Sequence, residues 1–141
     1  MASHNGLAET LAAIERVRKA PREKILKALE RSASELASAQ RGLAESSRDT
    51  GDLIDSITVT PPGQSTPPYS QPGGSRVAGE TEYLVSVGNT DVRYAHLVEF
   101  GTSTTPAQPY FWPAFRLLKI RLLRRIDRET RKTVKDAWNG K

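Results

Sequence analysis

The chain has 141 residues, 37% hydrophobic and 26% charged, with a net charge of +5 and no cysteine. That length predicts a single domain (1–141) able to bury about two-thirds of its unfolded surface, and the missing cysteine excludes disulfides, thiolate metal sites and cysteine nucleophiles. No run reaches the ~18 apolar residues of a membrane span, and Met1-Ala2-Ser3-His4-Asn5-Gly6 lacks the basic-then-apolar layout of a signal peptide. A soluble protein of a cytoplasm is expected. Its apolar content suits either a core completed by neighbouring chains or long solvated helices.

Helix signals fill the first third. Leu7, Leu11, Ile14 and Val17 recur at three- and four-residue steps and share one helical face, in an N-terminal extension over 1–20. Pro21 marks either a kink or a new first turn. Beyond it Ile25, Leu29, Leu36 and Leu43 continue the stripe, with Ala28, Ala33 and Ala39 alongside and charged residues on the other sides. The helix ends near Ser46 to Asp49, where short polar side chains compete for backbone hydrogen bonds.

Asp49-Thr50-Gly51-Asp52 predicts a turn with glycine free to take positive φ. Leu53 to Thr60 follows, rich in β-branched residues, with Leu53, Ile57 and Val59 on one side of a half-buried strand. Residues 61–75 hold five prolines and three glycines. They predict an extended loop (61–81) without regular structure, burying nothing beyond Tyr69 and ordered against a neighbouring chain. Tyr83 to Gly88 is a second strand, with Tyr83, Val85 and Val87 facing one way. Tyr94 to Phe100 predicts a short helix stopped by Gly101. Pro113 suits the first position of a last helix over 113–137, whose apolar stripe is Phe115, Leu118, Leu122 and Ile126. The order gives an α+β fold: N-terminal helix, small antiparallel sheet with a long Pro/Gly-rich loop, short helix, long basic C-terminal helix.

The basicity belongs to that last helix. From Pro113 to Lys141 stand ten Lys or Arg and three acids. Arg116, Lys119, Arg121, Arg124, Arg125, Arg128, Arg131, Lys132 and Lys135 surround the apolar stripe. They make either a solvated amphipathic surface or a face toward DNA or an acidic partner. No sequence-reading DNA motif is present.

Catalytic inventory is thin. His96 and Glu99 form an i, i+3 pair that is half of an acid–base or metal site, and no second cluster completes it. No phosphate-cradling glycine motif occurs. The chain is expected to be no enzyme, with no cofactor and no metal. The aromatics Tyr94, Phe100, Tyr110, Phe111 and Trp112 suit either a subunit core or a contact between subunits.

Two segments carry a resemblance. Asp49-Thr50-Gly51-Asp52-Leu53-Ile54-Asp55-Ser56-Ile57 is similar to the "D-T-G-x-L-x-x-S-I" signature of the tail-completion (head–tail joining) family of long-tailed, non-contractile bacteriophages and prophages. Tyr94-Ala95, Val98-Glu99-Phe100-Gly101-Thr102 and Pro109-Tyr110-Phe111-Trp112-Pro113-Ala114 resemble that family's second signature. Ser47-Arg48 stands where the family often has a proline or basic residue, and Trp112 is bulkier than usual. The resemblance implies a virion protein of the neck, assembled in the host cytoplasm, that forms a ring around the DNA channel. A hexamer is expected, with a dodecamer as the alternative. Implied partners are the tail tube or tail-terminator protein, head-completion and connector proteins, and genomic DNA contacted without sequence preference; no membrane is implied. A tail-terminator ring is the alternative role, and a nonspecific DNA-binding module a further one.

Overall fold

The computed structural model describes residues 2–45 and 51–141, with side chains from residue 6 onward. Two helices open the chain, α1 (Ala2–Arg18) and α2 (Glu23–Ala44). Pro21 lies between them, so the proline breaks the helix rather than kinking it. A one-turn helix α3 (Asp52–Asp55) leads into β1 (Thr58–Thr60), which pairs antiparallel with β2 (Leu84–Ser86) in the register Thr58↔Ser86, Val59↔Val85, Thr60↔Leu84. Helix α4 (Ala95–Phe100) and the 28-residue helix α5 (Phe111–Trp138) complete the α+β architecture.

Helices α2 and α5 run antiparallel. Gln40 donates to the Phe111 carbonyl at one end, and Arg125 reaches Ser32 and Glu35 further along. The buried face of α2 consists of Ala28, Ser32, Ala33, Ala37, Gln40 and Ala44. Small side chains let the α5 backbone approach closely, so the seam is built of alanine and the predicted leucine stripe flanks it. Ile25, Leu29 and Leu36 are half-buried and Leu43 is exposed. On α5, Leu122 is buried and Phe115, Leu118 and Ile126 are half-buried. The main core collects Ala37, Leu53, Ile57, Val87, Val92, Ala95, Tyr110 and Phe111 under the sheet.

Helix α1 meets α5 at its far end. The Arg16 guanidinium donates to the Ala137 and Trp138 carbonyls at 3.0 and 2.7 Å, placing a cation on the open C-terminus of α5. Ala13 is buried, whereas Leu7, Leu11 and Ile14 remain exposed. Of the predicted apolar stripe of α1, Val17 is half-buried, and Leu7, Leu11 and Ile14 are left uncovered by the described residues.

Two expectations need correction. The strand predicted from Leu53 forms only from Thr58, because Leu53 to Asp55 turn as helix and the Ser56 amide donates back to the Asp52 and Leu53 carbonyls. Burial of Leu53 and Ile57 is achieved by this turn; two-residue strand periodicity is not involved. The proline-rich segment is also folded onto its own chain. Gly63 N–H donates to Ala78, Thr66 N–H to Arg76 and Ala78 N–H to Gln64, while Gln71 and Val87 exchange both backbone bonds. Thr66 and Ser70 are buried within it, and Tyr69, the residue expected inside, is exposed beneath the Arg93 guanidinium at 3.7 Å.

Candidate assembly surface

Glu99 organises the second sequence signature. It is 6% exposed, and its carboxylate accepts three backbone N–H groups at the start of α5. Tyr110 and Phe111 donate to Oε2 at 2.8 and 2.9 Å, and Trp112 donates to Oε1 at 3.1 Å. The first amides of a helix have no partner inside it, and the helix dipole favours an anion there. Glu99 thus caps α5 from 11 to 13 residues away in sequence. The cap explains why α5 begins at Phe111, two residues before the proline that was expected to open it. Pro113 still lies in the first turn, where its missing N–H costs nothing.

The intervening chain is shaped to close this loop. Gly101 has φ +76, and a Cβ there would stand 2.6 Å from the Ala107 amide nitrogen. Gly101 N–H donates to Leu97 and ends α4, as predicted. Thr102 Oγ1 then accepts the Thr104 and Thr105 amides, and Gln108 N–H returns to the Val98 carbonyl. Pro109 sits exposed on the approach to the buried Tyr110. The Tyr110 hydroxyl donates to the Ala95 carbonyl at 3.3 Å. Burial, reinforced by the nearby Glu99 carboxylate and by Tyr94, pushes its pKa well above the usual tyrosine range.

Three residues of the first signature, Leu53, Ser56 and Ile57, are internal as well. Leu53 and Ile57 enter the core. Ser56 Oγ donates to the Leu53 carbonyl and accepts the Gly88 amide, tying α3 to the end of β2. Gly51 precedes α3 with φ −74, so the positive φ expected of it is not used. Asp49 and Thr50 lie outside the described residues.

What faces outward is a different set. Within the second signature Ala95, Glu99, Tyr110, Phe111 and Ala114 are buried, while Tyr94, Leu97 and Phe100 are exposed, Phe100 at 69%. His96 is exposed on α4. Both oxygens of its supposed partner Glu99 are engaged by α5 amides, which undercuts the acid–base reading of that pair. On α5, Leu117, Ile120 and Leu123 project away from the α2 seam, Leu117 at 78% exposure. Their i, i+3, i+6 spacing was present in the sequence but was masked by the stronger stripe beside it.

The basic residues also divide. Arg125 is buried, its guanidinium donating to Glu35 Oε2 at 2.7 Å and Ser32 Oγ at 3.3 Å, and Arg121 Nε meets Glu35 Oε1 at 3.1 Å. The hydrogen bond from Arg125 outweighs burial and, with the charges of Arg125, Arg121 and Arg31, lowers the Glu35 pKa. Arg131 pairs with Asp127 on the surface, and Lys119 stands 5.9 Å over the Phe115 ring. Arg116, Arg124, Arg128, Lys132 and Lys135 are exposed on α5 without an ion pair among the described residues. Arg128 and Lys132 line a cleft with Lys24, Lys27 and Arg31 of α2, three cations the reading of α5 alone did not include.

Ser56 of the first signature and Glu99 of the second thus serve the chain's own backbone, while apolar faces of α1 and α5 are left outside. Residues 8–101, well over half of the chain, match the model of the HK97-gp10-like family, described as "Bacteriophage HK97-gp10, putative tail-component". The chain belongs to this family of bacteriophage tail components. The matched span includes Glu99 and stops before the helix that Glu99 caps. No curated protein and no solved structure matches the chain.

Proposed function

We propose that the protein is a ring-forming subunit of the phage neck, a tail-completion or head–tail connector component that joins the tail tube to the head connector around the DNA channel. Its partners on this reading are further copies of itself, the tail-tube protein and the head-completion or connector proteins. The observation that carries the proposal is a pair of apolar faces left exposed among the described residues on two different helices: Leu7, Leu11 and Ile14 on α1, and Leu117, Ile120 and Leu123 on α5. A closed cyclic ring joins one patch of each subunit to a different patch of the next. Two such faces on one subunit meet that requirement, and apolar side chains left in water favour covering them by ~25 cal/mol per Å² buried. Six-fold symmetry follows from matching a tail tube, and a tail-terminator ring would use the same faces.

Light scattering on the eluting protein, alone and mixed with the tail-tube protein, tests the reading, together with class averages of assembled necks that count subunits. A closed ring of six supports it, and twelve moves the assignment to the head side. A chain that stays monomeric and is absent from purified necks overturns it.

A further inference from the structure

We infer that the cleft between α2 and α5 is a sequence-independent binding site for the phosphodiester backbone of DNA. From α2 it is lined by Lys24, Lys27 and Arg31, with Ala28 at its floor; from α5 by Arg125, Arg128 and Lys132, with Glu129 as the single carboxylate. On each helix the lining positions follow the steps i, i+3, i+4, i+7. One stripe of α2 therefore faces one stripe of α5 across the cleft.

Arg125 is committed to Glu35 and Ser32. The other five cations are exposed and make no ion pair among the described residues. At about 1.5 Å of rise per residue, the three α2 cations stand roughly 5 Å apart along one wall and Arg128 and Lys132 roughly 6 Å apart along the other. A chain of like charges repeating every few ångströms complements that array, and duplex DNA carries one phosphate per ~3.4 Å of axis on each strand.

An acidic protein surface fits less well. Protein interfaces are centred on aromatic or large apolar anchors, and the only apolar lining residue here is Ala28. Three of the five free cations are lysines, point charges that hold a phosphate without demanding one geometry. A site that must tolerate any sequence, or a DNA that slides, has these properties.

The inference concerns the single subunit and does not depend on ring formation, so the two stand or fall separately. The test is fluorescence anisotropy of the full-length protein with a labelled 20-base-pair duplex of arbitrary sequence, from 50 to 200 mM salt. About four phosphate contacts predict a salt slope near −3.6 and a loss of affinity of roughly 150-fold over that range. The double reversal Lys27→Glu/Arg128→Glu is expected to weaken binding at least 30-fold at 50 mM salt and to bring the slope to about −2. The neutral pair Lys27→Gln/Arg128→Gln, which disturbs the fold least, is expected to weaken it about tenfold.

Arg116→Glu/Lys119→Glu changes net charge equally at the other end of α5 and is expected to move affinity less than threefold. Equal losses in the two reversals would show that diffuse basicity and not the cleft holds the DNA. Absence of wild-type binding at 50 mM salt overturns the inference outright. Binding of poly-glutamate as tight as that of the duplex overturns it in favour of an acidic polypeptide.

Discussion

Replacing Glu99 by glutamine changes one atom and removes the charge that caps α5. In the best orientation the amide oxygen keeps the Tyr110 and Phe111 donors, and the new NH₂ confronts the Trp112 N–H, donor against donor. Bonds to a charged acceptor contribute about 1.5–3 kcal/mol each, roughly twice their neutral counterparts. An anion at a partly buried helix N-terminus adds up to ~2 kcal/mol. At the lower figure, halving two bonds and losing the third gives an expected destabilisation of about 3 kcal/mol for Glu99→Gln. Glu99→Ala, which strands the buried Tyr110 and Phe111 amides, is expected to cost about 4–5 kcal/mol. For a domain of this length these losses lower the melting temperature by roughly 10 °C and 15 °C. Urea unfolding followed by circular dichroism at 222 nm measures both. If Glu99→Gln unfolds within 0.5 kcal/mol of wild type, the carboxylate is not what starts α5, and the physical account of the second signature fails.

Gly101→Val should be worse than a surface change of equal size, by about 3 kcal/mol or more. It places a β-branched residue at φ +76, with its Cβ against the Ala107 nitrogen; a soluble variant with a wild-type melting curve would contradict the tight return of the chain at 101–107. The Glu35 pKa lies below its ordinary value of 4.5, held down first by the Arg125 hydrogen bond. Because the folded state holds that carboxyl's proton more weakly, its stabilisation is complete above about pH 4.5 and fades as pH falls through the depressed value. Urea midpoints of wild type and Glu35→Gln should therefore differ at pH 7 and draw together as pH falls below about 4.5, and a gap independent of pH would show that the Arg121–Glu35–Arg125 cluster is not what the substitution removes. Leu117→Asp/Ile120→Asp alters only exposed positions, so stability should stay within about 0.5 kcal/mol of wild type while assembly is lost; light scattering that still finds the full ring would remove this ridge from the interface.

How much could be read without the fold differs element by element. Both long helices, the stop at Gly101 and the sheet formed by residues near 58–60 and 84–86 follow from local periodicity and turn chemistry, which act within a few residues. The leucine stripe of α2 is visible in the sequence, yet its neighbour of Ala28, Ser32, Ala33 and Ala37 is what the fold buries, with Ser32 meeting Arg125 of α5. Hydrophobicity ranks Leu above Ala, whereas close approach of two helices ranks them the other way. The turn at Leu53–Asp55 was hidden because β-branched residues signal a strand and a single helical turn is too short to show a period.

The signature from Tyr94 to Ala114 marked by itself a reversal of the chain ahead of a basic helix, because glycine and proline restrict the backbone wherever they stand. Outside that signature, the chain carries the apolar ridge of α5 and the cations of both helices as bare types and spacings. Only the tertiary structure decided that Glu99 serves three amides, that Arg125 turns inward to Glu35, and that Lys27 and Arg128 face one cleft. The reason is distance along the chain. A carboxylate or guanidinium has the same formal charge in any sequence, and which partner neutralises it depends on what packing brings within about 3 Å.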